Sequence, residues 1–216
     1  MKIGVLGSGI VAQTLGNGLL HKGHDVMLGT SSSKKLSDWV SRNPGVRVGS
    51  FADAAAFGEL VVLAVKGTAA VSAVALAGKS ALLSKAVIDA TNPIADKPPV
   101  NGVLQFFTGP NESLLEILQQ KYPDVHFVKA LNSVGHAHMV DPKFPGGPPT
   151  MFIAGNDDAA KTKVGILIRE LGWECVDMGR AQAARAIEPL CMLWCIPGLL
   201  RNEWAHAFKL LVQSAG

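Results

Sequence analysis

Three small residues near the start of the chain, Gly7, Gly9 and Ala12, have the types and the spacing to hold a phosphate group. They stand in Leu6-Gly7-Ser8-Gly9-Ile10-Val11-Ala12, a Gly-x-Gly-x-x-Ala run between a short apolar stretch and a second one bearing Leu15, Leu19 and Leu20. Gly7 permits a tight turn. Gly9 has no side chain, so a pyrophosphate can approach the free N–H groups and positive dipole end of a following helix. Ala12 lets that helix pack closely on a sheet. The chemistry is therefore recognition of a dinucleotide through its pyrophosphate, in the strand-turn-helix context it requires. A glycine turn without a ligand is the bland alternative.

The next polar cluster is Thr30-Ser31-Ser32-Ser33-Lys34-Lys35, just past a second apolar run. An NAD site usually places an acidic residue there to accept from the ribose hydroxyls, and this chain has none. Hydroxyls and lysines suit a 2′-phosphate instead, so the cofactor expected is NADP(H), with Thr30 and Ser31 donating and Lys34 or Lys35 supplying charge. A serine-rich turn capping a helix near Lys34 accounts for the same residues, and both roles are compatible.

Elements able to position these residues follow from the apolar periodicity. Strands are predicted at 2–6, 25–28, 46–48, 60–64, 86–89 and 126–128, with helices at 10–21, 34–42, 52–57, 69–77 and 113–120. Continuous apolar strands such as Leu60-Val-Val-Leu-Ala64 belong in a parallel sheet covered on both faces. The fold class expected is α/β, a doubly wound, mostly parallel sheet over residues 1–130 that binds NADP. Residues 131–216 form a small C-terminal α/β extension ending in helices: a strand at 150–154, a helix at 157–171, a strand at 173–176 and an apolar helical segment at 182–212 broken at Pro197-Gly198.

Composition narrows the function classes. The net charge of +3 comes from scattered basic residues, which excludes a nucleic-acid surface. Lys66, Lys79 and Lys85 interrupt the most apolar region, and 190–200 is short and contains Pro197, so no membrane span is expected. Gly7 and Gly9 also break up any signal-peptide core, and the protein is expected to be cytoplasmic. Trp194, Leu199, Leu200, Trp204 and Phe208 are a large apolar load for the last helices. They suggest a homodimer interface or a lining for a flat aromatic acceptor.

Other reactive side chains have bland readings beside functional ones. Cys191 and Cys195 lie four apart, a spacing for a redox pair or half a metal site, but no further ligands stand at metal spacing and they read as small buried residues. His136 and His138 follow Asn132-Ser133, where a proton donor is conceivable and a plain loop histidine is the simpler reading. His21 and His24 flank Gly23 as helix-end caps, Arg185 and Glu188 are spaced for a helical ion pair, and Asp89 ends a buried strand as a structural acceptor. No metal site is expected.

These motifs, with Val62-Leu-Ala-Val-Lys66, Val87-Ile-Asp-Ala-Thr-Asn-Pro-Ile94, Val128-Lys-Ala-Leu-Asn-Ser-Val134 and Arg185-Ala-Ile-Glu-Pro-Leu190, make the chain resemble the NADPH-dependent reductases of the deazaflavin coenzyme F420. The cytosolic oxidoreductase domains of membrane ferric reductases look similar too. The resemblance implies that Gly7, Ser8, Gly9, Ile10 and Val11 hold the pyrophosphate, and that Thr30 with its neighbours holds the 2′-phosphate. It implies that Ala64, Val65 and Lys66 flank the ribose and adenine, and that Asn92-Pro93 and Leu131-Asn132-Ser133 border the nicotinamide. It places Arg185 and Glu188 beside the active cleft. One departure is Ser31, where family members often carry an Arg, leaving Lys34 or Lys35 to supply the charge.

Hydride transfer between two stacked rings needs no nucleophile and no metal, and the chain shows no acid/base dyad at recognisable spacing. The function expected is an NADP-dependent oxidoreductase passing hydride between NADPH and a small-molecule ring acceptor, coenzyme F420 or a flavin. Two alternatives stay open. One is reduction of a small carbonyl or imine, with Asn132, Ser133 or His136 as candidate catalytic groups; the other is a non-catalytic module that senses NADP(H).

Overall fold

In the computed structural model, which describes residues 1–213, the apolar runs pair side by side into one eight-stranded sheet. The strands are β1 (Lys2–Leu6), β2 (Asp25–Gly29), β3 (Arg47–Gly49), β4 (Leu60–Leu63), β5 (Ala86–Asp89), β6 (His126–Lys129), β7 (Thr150–Gly155) and β8 (Glu174–Asp177). Their order is β3-β2-β1-β4-β5-β6-β7-β8. The first six are parallel, β7 runs antiparallel to β6, and β8 is parallel to β7. This is the doubly wound dinucleotide order extended by two strands from the later part of the chain.

Alternation within each central strand explains the layers. Val5, Val62, Ile88 and Val128 point to one face and meet Leu15 and Leu19 of α1 (Ile10–His21) and Val164 and Ile168 of α7 (Asp158–Glu170). Leu6, Val61, Val87 and Phe127 point to the other. There they meet α3 (Phe51–Phe57), α4 (Ala70–Ala77), α5 (Lys79–Leu82) and α6 (Leu114–Lys121). With both faces covered, the central strands are mostly apolar, and β4 is entirely so.

The register matters most for function. Leu6 pairs with Gly29 and Leu63, Leu63 with Asp89, and Asp89 with Lys129. The residues that follow, Gly7, Thr30, Ala64, Ala90 and Ala130, therefore leave the sheet along one edge.

Three local expectations are corrected. Residues 34–42 form a 3-10 turn, Ser33–Leu36, followed by the short helix α2 (Ser37–Arg42). The 182–212 segment does not break at Pro197. A 3-10 turn (Ala181–Ala183), α8 (Ala184–Ile187) and α9 (Pro189–Arg201) run on continuously to Asn202, whose left-handed φ of 57° stops the helix. Pro197 cannot bond the Leu193 carbonyl, but Leu193 is exposed, so water can satisfy that group. Residues 203–213 then carry no regular secondary structure; Phe208 O accepts from Thr150 N and His206 O from the Trp194 indole.

The third correction follows from the second. The run Ala181–Arg201 is long and apolar enough to cross a membrane by length and composition, which the sequence reading excluded. Its Ala184, Ile187, Glu188, Cys191 and Trp194 are buried against the domain, whereas Leu193, Leu199, Leu200 and, beyond the helix end, Trp204 are exposed.

Candidate cofactor site

The glycine turn sits where the register requires. Gly7 has a φ of +150°, and a Cβ there would overlap the Ala64 carbonyl oxygen. Gly9 is the N-cap of α1 and supplies no side-chain cap, and the first turn of α1 holds no acidic residue. A Cβ built at Gly9 meets nothing within 4 Å. An uncapped helix N-terminus thus faces open space, which is what an incoming pyrophosphate needs.

That space belongs to a cavity of about 520 Å³ lined by Gly7, Ser8, Gly9, Ser31, Lys35, Ala64, Val65 and Lys66, with Phe51, Ala69, Ser72, Ala73 and Leu76 completing its walls. Among the hydroxyl and lysine candidates, the fold brings Ser31 and Lys35 to it. Thr30 is buried, and its Oγ1 donates to the Ser32 carbonyl at 3.1 Å and accepts from the Ser32 N–H at 3.2 Å. Lys34 is exposed and outside the cavity lining. Ile10 is exposed at the helix start and Val11 half-buried behind it.

A second cavity of about 270 Å³ adjoins the first through Val65 and Lys66, and is walled by Gly67, Ala90, Thr91, Asn92, Ile94 and Asp96. Gly67 is there for space: a Cβ would overlap the Asn92 carbonyl oxygen, so only glycine lets the loops after β4 and β5 touch. Across the mouth, Lys66 Nζ lies 3.8 Å from Asp96 Oδ1.

Behind this cavity two asparagines clasp the loops after β5 and β6. Asn92 Nδ2 donates to the Asn132 carbonyl at 2.7 Å, and Asn132 Nδ2 donates to Asn92 Oδ1 at 3.1 Å and to the Ile187 carbonyl at 3.0 Å. Asn132 Oδ1 is buried without a hydrogen-bond partner among the described residues. Pro93 and Ser133 are buried beside the pair, and Leu131 holds a left-handed φ of 61° while fully enclosed. A non-glycine residue costs on the order of 1–2 kcal/mol in that conformation, so the surrounding packing must enforce it. His136, in contrast, is exposed in a 3-10 turn, and His138 packs on Phe144 with ring centroids 5.1 Å apart.

Underneath lies a cluster the sequence reading did not assemble. Lys129 at the end of β6 is completely buried, with Nζ 2.6 Å from Asp89 Oδ2, 2.8 Å from Glu188 Oε1 and 2.8 Å from the Thr91 carbonyl. The Asp89 contact is close but out of line for a hydrogen bond, so that link is chiefly Coulombic. Burial pulls the Lys129 pKa down, but Asp89 and Glu188 together outweigh it and hold the pKa above the ordinary lysine value. Glu188 also accepts from the N–H groups of Leu114 and Leu115 at 2.9 and 3.1 Å, capping α6 from a distant part of the chain.

The expected Arg185–Glu188 pair is therefore not formed. Arg185 instead makes a forked contact to Glu116, with Nη2 2.6 Å from Oε1, and that hydrogen bond above all lowers the Glu116 pKa. Asp89 keeps its structural role, accepting from Thr91 N and Oγ1 at 3.0 and 2.6 Å. His21 Nδ1 reaches the Asn17 carbonyl as a helix-end contact, but His24 ties β2 to α7 through Glu170 at 3.0 Å. Cys191 is buried beside Cys195, and their thiol contact and burial push the Cys191 pKa up.

The geometry accommodates a two-lobed ligand: an anionic lobe at the glycine turn, Ser31 and Lys35, and a lobe at the clasped asparagines, bridged by Lys66. Comparison with known proteins agrees. Residues 2–93 match the family described as NADP oxidoreductase, coenzyme F420-dependent. The solved structure of a proposed F420-dependent NADP-reductase from Arthrobacter sp. FB24 is 33% identical, and the match covers 98% of this chain and 100% of that one with a TM-score of 0.91. The metalloreductase STEAP3 of Rattus norvegicus is 29% identical over 205 residues, 92% of this chain, and the chain spans 39% of that protein's length. An imine reductase from Streptomyces aurantiacus, 15% identical, shares the fold with a TM-score of 0.69 over 93% of this chain and 63% of its own.

Proposed function

The chain belongs to the family of NADP oxidoreductases that depend on coenzyme F420, and on that premise we propose that it binds NADP(H) and passes a hydride between NADPH and a second bound ring, a deazaflavin such as coenzyme F420 or a flavin. The observation that carries the reading is the uncapped α1 N-terminus at Gly9, open to the cavity that Ser31 and Lys35 line.

The residues fit the group. The free N–H groups of α1 would take the pyrophosphate, with the helix dipole favouring its charge. Ser31 and Lys35 would take the 2′-phosphate, Lys35 standing in for the arginine the family often uses. The hydrogen-bonded Asn92–Asn132 pair fixes the wall against which the nicotinamide half would lie. When bound, NADPH supplies the hydride; the protein's part is to align the two rings and keep water away. The buried residues Pro93, Leu131, Asn132 and Ser133 give that end a dry, rigid backing. Reduction of a carbonyl or imine would need a proton donor at the ring, and His136 is exposed on its own turn, which favours transfer between rings.

Lys35→Ala tests the reading of the anionic lobe. It should weaken NADPH binding about tenfold or more, the worth of one charge-assisted contact, and leave NADH binding unchanged. Equal weakening of both, measured by titration of the protein's fluorescence, would contradict it.

A further inference from the structure

We propose that the buried Asp89–Lys129–Glu188 cluster is an electrostatic counter-charge placed behind the nicotinamide pocket, favouring the oxidised, cationic ring over the neutral reduced one. This rests on the reading above that NADP(H) binds along the strand ends.

The charge count is fixed by geometry. Asp89 Oδ1 accepts from Thr91 N and Oγ1, and Oδ2 faces Lys129. Glu188 Oε1 faces Lys129 and the Leu115 N–H, and Oε2 accepts from the Leu114 N–H. Three of the four carboxylate oxygens accept hydrogen bonds, and the fourth, Asp89 Oδ2, lies 2.6 Å from the Lys129 ammonium, so the surroundings are built for two carboxylates. Lys129 stays an ammonium, its pKa held up by the same pair. Two negative charges then share one positive charge at sites 0–2% exposed. The start of α6 offsets about half a unit of the excess. The neighbouring pairs Arg185–Glu116 and Lys66–Asp96 are each neutral and add nothing.

The placement is equally direct. Asp89 precedes Ala90-Thr91-Asn92, which form the wall of the 270 Å³ cavity, and Lys129 Nζ holds the Thr91 carbonyl of that wall at 2.8 Å. A negative excess lying behind this wall in a low-dielectric interior attracts a cationic ring and leaves a neutral one unaffected. The cluster therefore biases the protein toward giving up hydride from bound NADPH. One carboxylate would neutralise Lys129; the second, Glu188, also caps α6, and its charge is the excess that reaches the pocket wall.

The test is the ratio of dissociation constants for NADP+ and NADPH, measured by titration in the wild type and in Glu188→Gln, Asp89→Asn and Glu188→Asp. Removing the excess charge in the first two variants should raise Kd(NADP+)/Kd(NADPH) about fifteenfold, the size of one charge acting over ~10 Å at an effective dielectric of ~20. Glu188→Asp keeps the charge and should keep the ratio. Adenosine 2′,5′-bisphosphate, which lacks the nicotinamide, should bind all forms alike. Parallel weakening of NADP+ and NADPH with the ratio within twofold of wild type would mean a structural role only and overturn the proposal. Should neither charge-removing variant fold, the wild type decides, since the proposal requires it to bind NADP+ at least as tightly as NADPH. Failure of the wild type to bind either dinucleotide is a different result, and it would overturn the function reading itself.

Discussion

Gly9→Asp should leave the fold intact and abolish dinucleotide binding. Gly9 is the N-cap of α1, with φ −77° and ψ 178°, an extended conformation any residue adopts, and there is open space where its side chain would go. Aspartate is among the best N-cap residues, and replacing glycine with it gains a few tenths of a kcal/mol of helix stability. Its carboxylate would then accept from the N–H groups that the pyrophosphate needs and would repel the phosphates at contact distance. Two like charges ~4 Å apart at an effective dielectric of ~20 cost about 4 kcal/mol, so NADP+ and NADPH should each lose at least about a hundredfold in affinity. Calorimetry should show an unchanged or slightly higher Tm while titration shows no binding. Affinity within tenfold of wild type in a folded variant would place the pyrophosphate elsewhere.

Lys129→Met should be the most destabilising single change at the site. Methionine matches the length of the stem but leaves Asp89 and Glu188 facing each other in a closed interior. Removing one partner of a buried ionic group typically costs about 3–5 kcal/mol, and at this chain length each kcal/mol lowers Tm by about 2–4 °C. Adding Glu188→Gln to Lys129→Met should cost less than it does in the wild type, because it relieves a charge that has lost its partner. The pH dependence has a definite sign. The folded pKa of Lys129 is raised above its ordinary value of 10.5, so its stabilisation is complete below that pH and is lost as pH rises through the folded pKa. Wild-type stability should therefore fall more steeply above pH 10.5 than that of Lys129→Met. A Tm within 2 °C of wild type would show that the triad contributes little.

The parts of this fold legible in the sequence were those set by local periodicity. Lys2–Leu6, Ile10–His21 and Ala86–Asp89 form with the bounds their apolar patterns predict, because strand and helix periods there agree with the turn chemistry between them. The glycine turn was legible for the same reason. Pro197 reads locally as a breaker that should end a helix, but α9 is held by what it packs on, and Leu193, whose carbonyl loses its partner, is an exposed residue. The lysine beneath the pocket was invisible as a cluster, since Asp89 and Glu188 lie 40 and 59 positions from Lys129 and only the sheet register and the fold-back of α9 join them. Spacing on one helix suggested Arg185 for Glu188; a fully buried ammonium needs that carboxylate more than an exposed guanidinium does. The choice of Lys35 over Lys34 likewise depended on the 3-10 turn at Ser33–Leu36, which the serine-rich sequence did not specify.

The measurement that bears most directly on the central claim is a single turnover. The protein is loaded with NADPH and mixed with coenzyme F420 or, separately, FMN, while NADPH and the acceptor are followed together by absorbance. We expect loss of bound NADPH matched one for one by reduction of one of these rings, at least tenfold slower when NADH replaces NADPH at the same concentration. Tight NADPH binding with no oxidation by either ring would contradict the proposed hydride transfer.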